Sequence, residues 1–307
     1  MWPVVLSTKN VNLLASKPYV MGPKPSGPRF LLYIDPSGDI FLENNTQHIF
    51  RVDEDHAINI QSSNGEPITA TILDGIITRE KINDAGSKYD DQENGTPGKL
   101  TFVIQDAIRC NGKCLINLNI VQRIAFIREQ IIEPRMNAVN NREEKEAFDL
   151  DIVEYQDAYQ TESYLSRDFT ERYKYPFDAL FFYPRDKGYK HGPNSDILKW
   201  QKHDNQKCCF RLKISEGIEE TAELYVMGPR QSEIKYGTIF LTEEIKKLDG
   251  RIITCRYFDH QWIFCAQRHD RNHPNGRRAI KDKMEALENA VSHDHLLTIL
   301  EKSKGLN

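Results

Sequence analysis

A chain of 307 residues is long enough for two domains, each with its own core. Its net charge of −4 excludes a globally basic surface, so any nucleic-acid or nucleotide contact must come from a local cationic patch. No apolar run reaches the ~18 to 20 residues that cross a bilayer, and six cysteines without a signal-like start read as free thiols in a reducing compartment, not a secreted chain.

The spacing predicts a short helix over 11–16. The stretch Tyr19 to Asp35, YVMGPKPSGPRFLLYID, then sets Lys24 in a Gly/Pro-dense loop at the mouth of a strand, Phe30 to Ile34. A lysine so held is either an ordinary solvated side chain or, where burial and neighbouring positive charge leave some neutral amine, a covalent nucleophile. A Pro36-Ser37-Gly38 turn leads to a strand from Ile40 to Glu43. His48 to Val52, Ile68 to Leu73 and Ile76 to Thr78 continue an antiparallel meander. Residues 84–98, DAGSKYDDQENGTPG, carry almost no apolar side chain and read as an exposed excursion.

Leu100 to Ala107 returns as a strand. The CNGKC turn at 110–114 offers half a zinc site, but no second cysteine pair has ligand spacing, since Cys208 and Cys209 are adjacent; no metal ligand is assigned. Leu118 to Ile132 has helical spacing, with Pro134 expected to end it. Residues 136–148 read as a solvated connection, 160–172 as a helix, and 177–183 and 196–200 as apolar strands. The polar run QKHDNQK at 201–207 is the expected boundary between a domain over 1–203 and another over 204–307. Beyond it, about five short strands suit a small barrel, with the OB-fold as the candidate, and two helices follow.

Several segments taken together resemble the guanylyltransferase domain of metazoan mRNA capping enzymes. They are KPY before Lys24, Lys24 with Gly27 and Arg29, the LDG of Leu73 to Gly75, the strand ending at Asp106, IREQIIEPR at 127–135, and DALFF at 178–182. SDILKW at 195–200, FRLKI at 210–214 and RHDRNHPN at 268–275 are the most specific. The resemblance implies an α+β fold in which a nucleotidyltransferase domain of ATP-grasp-like antiparallel sheets precedes an OB-fold barrel with C-terminal helices. It implies GMP transfer from GTP through a lysine phosphoramidate to diphosphate-ended RNA, with Mg or Mn required for activity. Lys24 would hold the nucleophile position, Arg29 would contact the ribose, and Lys199 would lie beside the α-phosphate. Arg268, Asp270 and Arg271 would act on the GTP phosphates from the barrel. The triphosphatase domain that precedes the transferase in animal relatives is expected to be absent. A nuclear location, the RNA 5′ end, the RNA polymerase II tail and a protein partner are implied too.

The departures from the family pattern are specific. Its KxDG is KPSG here, with Ser26 for the carboxylate; its DGE is DGI, with Ile76 for the ribose-binding glutamate; the next DG is Asp178-Ala179; and the second lysine after DILKW is Gln201, with Lys202 one residue late. Each lost ionic group in a catalytic site costs ~2.7 to 4 kcal/mol. The sequence therefore favours a catalytically inactive pseudoenzyme acting as a binding or scaffold module in RNA metabolism. An active mRNA guanylyltransferase working through Lys24 and an OB-fold RNA-binding protein are the alternatives.

Overall fold

The computed structural model describes residues 2–56, 58–81, 98–137, 146–201, 207–215, 220–269 and 271–305. Most of the expected excursion at 84–98, residues 138–145 of the expected connection, and residues 202–206 of the expected boundary lie outside them.

Twelve strands come first: β1 (Trp2–Val5), β2 (Tyr19–Pro25), β3 (Arg29–Ile34), β4 (Ile40–Asn44), β5 (Ile49–Arg51), β6 (Thr71–Arg79), β7 (Leu100–Cys110), β8 (Lys113–Cys114), β9 (Asp149–Ile152), β10 (Gln156–Asp157), β11 (Phe177–Pro184) and β12 (Pro193–Trp200). Five more follow: β13 (Lys207–Lys213), β14 (Thr221–Met227), β15 (Glu233–Phe240), β16 (Ile252–Phe258) and β17 (Gln261–Gln267). The helices are α1 (Ile120–Ile127), α2 (Glu133–Asn137), α3 (Thr161–Leu165), α4 (Arg167–Arg172), α5 (Glu243–Lys246), α6 (Arg277–Glu288) and α7 (His293–Glu301).

The chain separates into two compact units, one of residues 1–4, 11–200 and 293–307, the other of residues 5–10 and 201–292. The first holds two sheets. One runs β1-β12-β11-β2-β10 and the other β5-β4-β3-β6-β7-β8, with β9 added beside β7. Helix α1 and the turn after it bury Ile120, Ile124, Ile127 and Ile131 in a core shared with Leu32, Leu73, Phe102 and Ile104. Asn119 starts α1 with a capping box, accepting from the Gln122 backbone while Gln122 returns the bond. In the second unit β13-β14-β15-β17-β16 closes on itself. Strict alternation does this: Ala222, Leu224 and Val226 face inward while Thr221, Glu223 and Tyr225 face out.

The expected fold class needs correction. The seven-stranded sheet does not close into a barrel, so no OB-fold barrel is built there. Nor are the sheets purely antiparallel, because β9 runs parallel to β7 and β15 parallel to β17. Three local expectations also change. Ile68 to Thr78 is not two strands; a single strand, β6, runs through the Asp74-Gly75 pair. Pro134 does not end the helix: a π turn over Arg128–Ile132 joins α1 to α2, and Pro134 is the second residue of α2. The helix expected over 160–172 is broken at Ser166, which caps α4.

Candidate functional site

Lys24 does not sit on a loop. It lies inside β2, paired with Ala179 of β11. Its side chain is 18% exposed, and its Nζ donates to Asp178 Oδ1 and to the Pro25 carbonyl, each at 3.1 Å. Asp178 is the extra residue of a β-bulge between Phe177 and Ala179, and the bulge re-aims its carboxylate toward Lys24. Gly22 pairs with Phe181, and Phe181 with Lys199 of β12. Directly paired residues share a sheet face, as do residues two apart on one strand, so Lys24 and Lys199 project from the same face. Gln201 follows two residues after Lys199, and Lys202 lies outside the described residues.

Between β2 and β3 the Ser26–Pro28 turn is tied down at three points. Ser26 N donates to Pro176 O at 2.8 Å, Thr78 Oγ1 to Ser26 O at 2.7 Å, and Ile77 N to Pro28 O at 3.0 Å. Gly27 has φ of 151°, and a Cβ there would stand 2.1 Å from the Ile77 carbonyl oxygen, so only glycine fits.

Arg29 opens β3 opposite Ile76. Its guanidinium forks onto Asp74, Nε to Oδ1 at 2.7 Å and Nη2 to Oδ2. Burial opposes the Arg29 charge, but the Asp74 carboxylate outweighs it and holds the group above its ordinary range. Asp74 pairs across the sheet with Asp106 of β7, whose two oxygens accept from Arg123 at 2.6 and 2.9 Å. Burial pushes the Asp106 carboxyl up, while the Arg123 guanidinium pulls it down. The result is an array of two carboxylates side by side, each forked by its own arginine. Three phenols complete it. Tyr155 donates to the Gln105 carbonyl at 2.9 Å and meets Tyr183 edge-on at 5.2 Å, while the Tyr189 ring faces Arg123 at 5.7 Å. Burial, reinforced by Asp74 and Asp106, keeps Tyr183 and Tyr189 well above the ordinary phenol range, so both stay neutral.

Of the residues expected at the site, Lys24, Arg29 and Lys199 belong to the first unit. Arg268 and Arg271 belong to the second, where Arg268 Nη1 points to Cys209 Sγ at 3.7 Å. Asp270 lies outside the described residues. Ile76, in the position of the family glutamate, is 1% exposed. Among the described residues no group of three or more His, Cys, Asp or Glu could hold a metal ion. Sequence reasoning missed Asp178 as the partner of Lys24, the Asp106–Arg123 pair and the tyrosines. Arg123 did leave a signal, since it lies on the helical stripe of Ile120, Ile124 and Ile127, where a charge needs a buried partner.

Two family models match nearly the whole chain. The family described as "mRNA capping enzyme, catalytic domain" matches residues 1–203, and "mRNA capping enzyme, C-terminal domain" matches residues 168–297. An mRNA-capping enzyme of Danio rerio is 26% identical over 98% of this chain and 49% of its own length, and that of Caenorhabditis elegans 26% identical over 96% and 47%. The chain thus spans about half the length of the curated relatives it matches. Among solved structures, a mycobacterial DNA ligase D shares 14% identity over 88% of this chain and 95% of its own, with a TM-score of 0.48. With a catalytic-domain match across two thirds of its length, the chain belongs to the mRNA capping enzyme family.

Proposed function

We propose that the chain is a covalent guanylyltransferase that takes GMP from GTP onto Lys24 and passes it to the diphosphate end of RNA. The observation that carries this reading is the sheltered Lys24 amine, 3.1 Å from the Asp178 carboxylate, on the sheet face that also bears Lys199. In the first step Asp178 takes a proton from the Lys24 ammonium and the freed amine bonds to the α-phosphorus. The bond from that phosphorus to the bridging oxygen breaks, and pyrophosphate leaves. Lys199 supplies positive charge to the phosphates as negative charge grows on them. In the second step a terminal phosphate oxygen of the RNA attacks the same phosphorus, the P–N bond breaks, and the amine regains its proton. A nuclear location and contact with the polymerase tail would accompany this activity.

A second reading, a pseudoenzyme that keeps the fold as a binding module, is favoured by one observation: Ile76 is packed under the turn at Gly27, where the family places a carboxylate. Incubation with α-labelled GTP and a divalent cation, followed by denaturing electrophoresis, separates the two. The losses at Ser26, Ile76 and Gln201 slow transfer by ~10⁴ or more, so the adduct should build over hours. It should vanish in Lys24→Ala. No adduct after prolonged incubation, with GTP binding retained in a titration, would establish the pseudoenzyme instead.

A further inference from the structure

Two groups of cations on the second unit differ in their partners. On one flank they are neutralised: Arg211 and Lys213 pair with Glu233, and Lys235 with Glu223. On the other, Lys207 at the start of β13 lies in register with Arg256 of β16, and Lys283 of α6 donates its Nζ to the Lys207 carbonyl. None of these three cations has an acidic side chain within ion-pair distance among the described residues. Among the described residues Asp259 in the β16–β17 turn and Asp282 on α6 form no ion pair with them, and Asp204, three residues before Lys207, lies outside the described residues. Arg256 stands over the ring of Phe258, 5.8 Å from its centroid, two residues along on the same outward face. Phe258 is 59% exposed, held out at the hairpin tip by the positive φ of Asp259 and His260, 47° and 60°.

An exposed ring that covers no core, flanked by cations that no carboxylate among the described residues neutralises, fits one partner chemistry. A flexible polyanion with flat faces supplies phosphates to the cations and a base to the ring, and every base has such a face. A phosphorylated peptide would use the cations and leave Phe258 idle. We propose that Lys207, Arg256, Lys283 and Phe258 form a binding track for single-stranded RNA on the barrel. The track lies within the second unit and does not rest on transfer chemistry at Lys24.

Fluorescence anisotropy with a labelled single-stranded RNA of about twelve nucleotides, titrated at several salt concentrations, tests it. The double variant Lys207→Glu/Arg256→Glu should weaken binding about tenfold or more and flatten the logarithmic salt dependence by about 0.7 for each phosphate that the protein no longer neutralises. Phe258→Ala should weaken binding about fivefold or more, with Phe258→Trp restoring it. All three variants should keep the wild-type melting curve and the wild-type yield in the α-labelled GTP assay, so failure of the track and failure of the transfer reading are told apart. RNA affinity unchanged in the double variant overturns the proposal. So does loss of binding in that variant with Phe258→Ala inert and a phosphoserine peptide competing as well as RNA, which would assign the patch to phosphopeptides.

Discussion

At the scale of single residues, the centre of the first unit is the array Arg29–Asp74–Asp106–Arg123. Removing Arg123 leaves the Asp106 carboxylate, 1% exposed, beside Asp74 with only the Ala107 N–H donating to it and no cation of its own. Arg123→Met should therefore destabilise the chain by about 3 to 5 kcal/mol, and adding Asp106→Asn should return part of the loss, both read by urea unfolding. The same scale governs the proposed transfer. The triple change Ser26→Asp, Ile76→Glu, Gln201→Lys should raise the Lys24-dependent adduct at least about tenfold, while each single change does little, because groups acting on one transition state are not additive. A folded triple variant that labels no better than wild type would mean that the cleft itself has been rebuilt. Lys24, Arg29 and Lys199 were legible as motif positions. Asp178 as the partner of Lys24 was not, because its aim depends on a bulge, and nothing in DALFF announces which strand carries the extra residue.

At the scale of elements, the turn between β2 and β3 is fixed by its surroundings. Gly27→Ala forces a Cβ onto the Ile77 carbonyl oxygen and should cost more than about 1 kcal/mol. It should reduce adduct formation as well, because Lys24 and Arg29 lie on either side of that turn. Strand β9 carries one pH-sensitive group. Burial disfavours the charge on Asp149, yet Lys99 at 2.7 Å and Arg135 at 3.0 Å outweigh it and hold the carboxyl at about 2. A carboxyl lower in the folded than in the unfolded chain stabilises above its unfolded value and loses that contribution as pH falls toward 2. Asp149→Asn should thus cost about 2 kcal/mol at pH 7 and flatten the stability profile between about pH 4 and 2. Period-two strands such as β3, β4 and β14 were legible because one face of each is buried. Lys24 was misplaced for the converse reason: Gly22, Pro23 and Pro25 break propensity within β2, and pairing with β11 overrides them.

At the scale of the whole molecule, the two units are not contiguous in sequence. Residues 5–10 belong with the barrel, where Ser7 bridges Ala290 and Lys9 pairs with Glu285, whereas α7 buries Leu296, Ile299 and Leu300 in the first unit. Composition marked a change near 201–207 but gave no sign of these exchanges, since a terminal segment too short for its own core carries no pattern that names its host. Truncation before His293 should lower the unfolding transition of the first unit and leave that of the barrel in place, read by calorimetry. A fall in the barrel transition alone would contradict that assignment.

The place of α7 also sets an order of events in the cell. On the ribosome, the sheets bearing Lys24, Arg29 and Lys199 emerge first, yet the helix that covers Leu14 and its neighbours is made after the entire barrel. The first unit must wait, partly uncovered, while its successor is synthesised and folds.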